Sequence, residues 1–223
     1  MLTNRTEILS HRIFNILESI NNLDLINDNL RNTNNIMNIG VNYKFLGVID
    51  PQPFIDAVNK VETEEWTKDT WRQDVHRMHG STQTIELIYD KDFKHFNTTK
   101  QKHWFDLGIE ELMKPLLDLL NKEYGHGYIV RTVFVKLLAG RSVQKHIDTG
   151  GSYSLSHRIH VSLIADDDNV VYVVNNEEKK FKIGEVWEIN NMVEHEVINK
   201  SEKDRINLLL DYATLDGKGW WWK

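Results

Sequence analysis

The chain has 223 residues, of which 40% are hydrophobic and 27% are charged, a composition that suits one compact domain with some decoration. Its formal net charge is −6, and this absence of a basic signature makes nucleic acid a poor candidate partner. The chain contains no cysteine, which excludes disulfides and thiol catalysis. No segment has the pattern of a signal peptide or of a membrane-spanning helix, so we expect a soluble, cytoplasmic protein without a membrane partner.

Residues 1–42 form the first predicted unit, an N-terminal helical and asparagine-rich decoration. Apolar residues between Ile8 and Ile20 make an approximate helical stripe, and asparagines accumulate from Asn21 to Asn42. The asparagine-rich part could be a flexible linker. Its apolar residues favour a helix-and-loop cap instead.

The middle of the chain mixes short strands with helices. The predicted elements are a strand over 43–49, a helix that starts at Asp50-Pro51 and ends near Glu64, a strand over 84–89, a helix over 107–125 and a strand over 128–138. The helix over 107–125 has apolar residues at helical spacing, Pro115 as a point of bending and Gly125 at its C-terminal cap.

The candidate functional residues lie between Val143 and Tyr212. In the sequence HID, His146 and Asp148 point the same way on a strand, about 6.6 Å apart at the backbone, so both can reach one metal ion. Two His and one carboxylate on one face of an octahedral ion leave three open positions, as in non-heme Fe(II) oxygenases. A single His-x-Asp arises about once by chance in a chain of this composition, so HID needs support from its surroundings.

Three later segments supply that support. Residues 157–164 place Arg158 and His160 on one strand face, with apolar residues on the other. A strand that follows Gly184 then leads to His195. Residues 204–212 again alternate, with Arg205, Asn207, Leu209 and Asp211 on one face and Ile206, Leu208 and Leu210 on the other.

At these residues the sequence resembles the aspartyl/asparaginyl β-hydroxylase family of Fe(II)- and 2-oxoglutarate-dependent oxygenases. The resemblance runs through LLAGRSVQKHID (137–148), HRIHVSL, GEVWEINN, the H-x-V-x-N segment from His195 and the R-x-N-L-L-L-D-Y segment from Arg205. Several linked motifs in one order are far more specific than any single motif. The resemblance implies a mainly β fold with flanking helices, a double-stranded β-helix of the jelly-roll, cupin-like type.

We place this domain at residues 43–215, followed by a Trp-rich tail at 216–223. The tail contains three adjacent Trp residues whose rings cannot all face one core. They either pack under the N-terminal helices or line the mouth of the barrel or a partner surface.

The resemblance also implies roles for individual residues. His146, Asp148 and His195 would hold Fe(II), and Arg205 would bind the distal carboxylate of 2-oxoglutarate. The alternatives are a buried hydrogen-bonded cluster for the three ligands and a surface ion pair for Arg205, although a guanidinium among apolar strand residues favours a bidentate carboxylate contact. His157 is interpreted as a solvent-facing neighbour.

Five further residues are candidates for binding cosubstrate or substrate. The family's R-x-H element implies that His160 contacts the cosubstrate and that Arg158 holds an acidic or polar group, unless Arg158 pairs structurally with an acid. Lys136 could assist an anion inside the barrel, or pack its stem on the wall with its amine in water. His79 and Arg77 could contact substrate at the barrel mouth, although His and Arg in surface loops usually have no chemical role.

The predicted function is that of a 2-oxoglutarate-dependent dioxygenase. It would use Fe(II), 2-oxoglutarate and O₂ to hydroxylate a C–H bond of an amino acid or of an Asp/Asn-type residue in a peptide, with release of succinate and CO₂. The alternative is a jelly-roll module that binds a metal and a carboxylate, as a sensor or binding protein, without turnover.

Overall fold

The computed structural model describes residues 38–89, 98–148 and 155–214. The rest of the predicted N-terminal decoration and the predicted Trp-rich tail lie outside the described residues. The strands are β1 Tyr43–Val48, β2 Thr82–Tyr89, β3 Thr99–Lys100, β4 Gly127–Leu137, β5 Ser142–His146, β6 His157–Ile164, β7 Val170–Val174, β8 Glu177–Lys179, β9 Glu185–Ile189, β10 His195–Asn199 and β11 Arg205–Thr214. The α-helices are α1 Gln52–Val58, α2 Trp71–Val75, α3 Lys102–Asp106, α4 Ile109–Leu112 and α5 Lys114–Tyr124, and two 3₁₀ helices cover Thr63–Thr67 and Arg77–His79.

The strands form two antiparallel sheets. The larger sheet has the order β1-β9-β6-β11-β4-β2-β3, and the smaller sheet has the order β5-β10-β7-β8. Strands that are distant in sequence are therefore neighbours in both sheets, for example β4 and β11 or β5 and β10. This arrangement confirms the predicted fold class, a mainly β jelly roll with flanking helices.

Strand alternation gives the larger sheet two chemically different faces. On β11, Ile206 and Leu208 belong to the main apolar core together with residues of the helices. Arg205 and Asn207 lie on the other face, where both contact Tyr172 of the smaller sheet. The apolar face therefore packs on the helices, and the polar face lies between the two sheets, where a buried site can form.

The predicted helix over 107–125 is divided into separate pieces. Gly108 adopts a left-handed conformation, with φ 65°, and separates α3 from α4. Pro115 lies in the first turn of α5, where its missing N–H costs nothing, so it begins a helix rather than bending one. Gly125, with φ 87°, ends α5 at the predicted cap position.

The first helix is shorter than predicted. It ends at Val58 rather than near Glu64, because Phe54 and Val58 already bury its apolar face. The next core residue, Trp66, comes from a 3₁₀ helix instead. No helix in the described part of the chain combines the length and the apolar character needed to cross a membrane.

Candidate active site

Two histidines and one aspartate meet at the edge of the smaller sheet. His146 on β5 and His195 on β10 are direct partners across the two strands, and their ring centroids are 4.3 Å apart. Asp148 follows β5, and its backbone N–H donates to the carbonyl of Asn191 at 3.1 Å. The ligand atoms of the three side chains lie within 4.8 Å of one another, so one metal ion can contact all three.

Backbone carbonyls determine which ring nitrogen of His146 and of His195 is free to bind a metal. Nδ1 of His146 lies 2.7 Å from the carbonyl oxygen of Gln144, and Nδ1 of His195 lies 3.0 Å from that of Val193. Because a carbonyl oxygen can only accept, each Nδ1 carries a proton, which leaves Nε2 as the nitrogen that can bind a metal. The two Nε2 atoms lie 3.7 and 3.6 Å from oxygens of Asp148. Two imidazoles and a carboxylate form a donor set that suits Fe(II).

Asp148 is ionised in these surroundings. Burial alone would raise the pKa of its carboxyl group, but the nearby positive charges, that of Arg158 first, hold this pKa well below its usual range. The Nη1 group of Arg158 donates directly to Asp148. The carboxylate is therefore available as a metal ligand at neutral pH.

Arg158 belongs to a row of charged residues across three neighbouring strands. Asp211 on β11 is the register partner of Arg131 on β4 and of Arg158 on β6. Its carboxylate accepts from Arg158 at 2.9 and 3.3 Å and forms an ion pair with Nη2 of Arg131 at 2.8 Å. The structure thus shows the acid pairing that was the alternative for Arg158, with Asp211 and Asp148 as its partners.

A separate series of hydrogen bonds connects Arg205 and His160, which were both predicted to bind the cosubstrate. Arg205 donates from Nη2 to the hydroxyl of Tyr172, and that hydroxyl donates to Oδ1 of Asn207 at 3.2 Å. The amide N–H of Asn207 donates to Nδ1 of His160 at 3.1 Å. Burial first, and then the charge of Arg205, hold the pKa of His160 well below its usual value, so the ring is neutral and its proton lies on Nε2.

This series of hydrogen bonds ends in donors that have no acceptor among the described residues. Nε2 of His160 and Nε of Arg205 are buried and have no hydrogen-bond partner among the described residues. A buried donor without a partner costs about 1–3 kcal/mol. A carboxylate bound between these donors would remove that cost, so the residues present fit 2-oxoglutarate.

A cavity opens beside the metal-ligand cluster. Its polar lining consists of Arg72, His76, His79, Arg131, His146, Asp148 and Arg158. His79, a predicted substrate contact, therefore lies at the site, with its ring centroid 5.5 Å from that of His146. Arg77 is exposed and does not line the cavity, so the structure does not bring it to the metal-ligand cluster.

The position of Lys136 also differs from the one predicted. It shares a face of β4 with Phe134, which belongs to the helix-side core, and its ammonium lies 4.0 Å from the ring centroid of Trp66. Burial lowers the pKa of this ammonium. Lys136 is thus on the opposite face of the sheet from Arg205, and it cannot assist an anion between the sheets.

His157 is buried rather than solvent-facing. It lies on the same face of β6 as Ile159, the helix side, where its Nδ1 lies 2.7 Å from the carboxylate of Glu188. Its ring stacks on Tyr124 with centroids 3.7 Å apart. Strand alternation from the apolar Ile159 would have predicted this burial.

Two positioning residues were missed at the sequence level. Tyr172 lies in the apolar run VVYVV, and Arg131 lies in the β-branched run YIVRTVFVKLL. The signal in both cases was a polar group within a strand whose neighbours are fully buried, because such a group needs a buried partner.

Comparisons with known proteins find one family model that matches the part of the chain that contains this site. Residues 110–214 match the family model described as Aspartyl/Asparaginyl beta-hydroxylase, and this segment includes the metal-ligand cluster and both hydrogen-bonded groups beside it. A comparison with curated proteins finds no match.

Three solved structures illustrate the similarity. An oxidoreductase of the 2OG-Fe(II) oxygenase family from Burkholderia pseudomallei is 16% identical with a TM-score of 0.47, over 59% of this chain and 66% of its own length, just under two thirds. The viral collagen prolyl hydroxylase vCPH from Paramecium Bursaria Chlorella virus-1, in a 2OG complex, is 10% identical with a TM-score of 0.49, over 78% of this chain and 98% of its own. A cupin domain from Bordetella pertussis is 11% identical with a TM-score of 0.31, over 40% of this chain and 93% of its own length.

The family match agrees with the geometry of the site. The matched segment contains each motif on which the resemblance rested, from HID to R-x-N-L-L-L-D-Y. Fe(II), 2-oxoglutarate and O₂ are the cofactor and cosubstrates of this class of enzyme. Residues 110–214 are therefore similar to the aspartyl/asparaginyl β-hydroxylase family, as the sequence predicted.

Proposed function

We propose that this protein hydroxylates a C–H bond of an amino acid, or of an Asp/Asn-type residue in a peptide, and releases succinate and CO₂. The family supports a small-molecule or peptide substrate. The observation that carries the proposal is the convergence of His146, Asp148 and His195 within 4.8 Å, beside buried donors that lack an acceptor.

Each half of the site has one task. His146, Asp148 and His195 would hold Fe(II), while Arg205 and His160 would bind 2-oxoglutarate. When bound, Fe(II) and 2-oxoglutarate together turn O₂ into an oxidant that is strong enough to break a C–H bond.

The surrounding residues position these groups. Arg158 holds the carboxylate of Asp148 in place, and Asp211 holds the guanidinium of Arg158. Tyr172 and Asn207 set the direction of the hydrogen bonds that leave the His160 proton on Nε2. Because every one of these side chains is buried or nearly so, water is largely excluded from the place where the oxidant would form.

The direct test is turnover. The protein loaded with Fe(II) should convert 2-oxoglutarate to succinate under air, and a panel of amino acids and short Asp- or Asn-containing peptides should reveal a product heavier by one oxygen atom. Tight binding of metal and 2-oxoglutarate without succinate release, with or without the panel, would instead support the non-catalytic binding module.

A further inference from the structure

Three apolar side chains lie at the cavity beside the metal ligands: Val75, Met78 and Ile147. Met78 and Ile147 line the cavity, and Val75 directly precedes His76, which also lines it. Val75 is 54% exposed and Ile147 is 43% exposed. Single exposed apolar residues are common on protein surfaces, but a group of them beside a cavity is typical of a contact surface. We call these three residues the apolar rim.

The end of β11 lies close to this cavity. Asp211 bonds to Arg158 and forms an ion pair with Arg131, and both arginines line the cavity. Thr214, the last residue of the strand, is three positions further along, a distance of about 10 Å. Trp220 of the Trp-rich tail is six positions beyond Thr214, a span of about 20 Å in an extended chain. The tail is therefore within reach of the apolar rim.

The tail and the apolar rim also match in chemistry. The tail contains three adjacent Trp residues, and each ring buries about 150–250 Å² when it packs. The cavity lining next to the rim includes Arg72, and the flat face of a guanidinium accepts an indole ring even when its N–H groups are paired. Gly217 and Gly219 precede the rings and permit the change of direction that a return from β11 requires.

We propose that the Trp-rich tail packs on the apolar rim, so that its indole rings cover Val75, Met78 and Ile147 and complete one side of the cavity. The contact goes beyond the proposed function and does not depend on it, because it joins two parts of the chain whether or not the site turns over. Any molecule that enters the cavity would then meet an aromatic wall that the strands do not supply.

The edge strand β1 offers a second exposed apolar surface, which serves as a control. Val48 at its end is 66% exposed, so it resembles Val75 in both residue type and exposure. In the larger sheet, β1 lies three strands away from β11, about 14 Å. By contrast, Asp211 of β11 contacts the cavity lining directly. The apolar rim is therefore the nearer surface for a segment that follows β11.

The test uses pairs of introduced cysteines, because the chain has none of its own. Lys223→Cys follows the rings and, nine positions after Thr214, can reach about 30 Å, enough for either surface. It is combined with Val75→Cys or with Val48→Cys in the full, metal-free chain, and diamide is the oxidant. We expect the intramolecular disulfide with Val75→Cys to form at least about tenfold faster than that with Val48→Cys, as judged by non-reducing gels and mass spectrometry.

The rings themselves are tested in the same pair. Replacement of Trp220, Trp221 and Trp222 by Ser in the chain with Val75→Cys and Lys223→Cys should reduce the rate to that of the Val48→Cys pair. Thermal melting of the reduced variants checks that they are folded. A Val48→Cys pair that forms as fast as the Val75→Cys pair, or a Val75→Cys rate that survives the loss of the rings, would show that the tail does not pack on the apolar rim.

Tryptophan fluorescence gives a second readout without any cysteine. Val75→Asp places a charge on the apolar rim, so the rings of the tail should become more accessible to quenching by acrylamide. Val48→Asp, the same change at the control position, should keep the wild-type quenching. The difference between Val75→Asp and wild type should disappear when the three Trp of the tail are Ser. Equal quenching of wild type and folded Val75→Asp would overturn the proposed contact. Because neither measurement involves turnover, a negative result leaves the proposed function standing, and a failure of turnover leaves the contact standing.

Discussion

His146 and His195 face each other across two antiparallel strands, and each ring is held by the carbonyl of the residue two positions earlier in the chain. The same local hydrogen bond thus appears twice, at Gln144 and at Val193. Because each bond joins a ring to the backbone of its own segment, the backbone itself orients both rings. The backbone of the smaller sheet therefore preorganises the metal site.

Replacement of His195 by Ala should remove a metal ligand without disturbing the fold. We expect affinity for Fe(II) or Mn(II) to fall by more than the about 10–100-fold that changes around a ligand usually cost. Metal titration with measured stoichiometry checks this, and His126→Ala, at an exposed position, is the matched control. Stoichiometric binding at unchanged affinity in His195→Ala would remove this residue from the site.

Arg205→Ala should weaken binding of 2-oxoglutarate by about 2–5 kcal/mol, because it leaves a buried carboxylate without its cation. Arg205→Lys should rescue binding only in part, since an ammonium lacks the planar fork. Calorimetric titration of the metal-loaded protein measures both effects. Arg141→Ala removes an exposed guanidinium and should change nothing. Equal affinities of wild type and Arg205→Ala would contradict the assignment.

Tyr172→Phe should weaken 2-oxoglutarate binding by a smaller amount, about 1.5–3 kcal/mol, the usual contribution of a hydrogen bond to a charged group. The variant keeps the ring, 5.0 Å from the Arg205 guanidinium, and removes only the hydroxyl. In the double variant with Arg205→Ala, the two losses should not add, because both act through the same contact. Additive losses would show that Tyr172 does not position Arg205.

Asp211→Asn should destabilise the protein by about 3–5 kcal/mol, because it leaves the buried guanidiniums of Arg131 and Arg158 without their shared carboxylate. Urea unfolding of the metal-free protein measures the change. Asp118→Asn, on the exposed side of α5, provides the control. An Asp211→Asn variant as stable as the control would mean that the row across the three strands contributes little.

Stability should fall in mild acid because His160 stays neutral in the folded protein. Its folded pKa lies well below the ordinary value of 6.5, so between the two values the unfolded chain binds a proton that the folded chain does not. The unfolding free energy should therefore decrease as pH falls below about 6.5, by about 1.4 kcal/mol per pH unit for this group. Urea unfolding of His160→Gln should show a slope smaller by about that amount, whereas exposed His126→Gln should keep the wild-type slope.

The faces of the strands could be predicted because alternation is a local property. Arg158 and His160 share one face of β6, and Arg205 and Asn207 share one face of β11, as expected. Alternation does not say which side of a sheet holds the site. Lys136 was therefore proposed to face the inside of the barrel, whereas it lies on the helix side of the larger sheet.

The contacts between the sheets could not be predicted. Tyr172 meets Arg205 from 33 residues away in the sequence, and only the packing of one sheet on the other brings them together. The division within the predicted helix falls at Met113, between α4 and α5, and the apolar periodicity continues across it. Long-range pairing between the sheets and a helix break that apolar periodicity does not mark thus account for these two misses.

The metal-ligand cluster and the residues for 2-oxoglutarate come from the barrel strands and their ends, whereas Arg72 and His79 come from the helical segment before β2. The cavity thus takes part of its lining from a segment that is separate in sequence from the strands that carry the metal ligands. A change within the segment 71–80 can therefore alter the shape and polarity of the cavity while those strands stay the same.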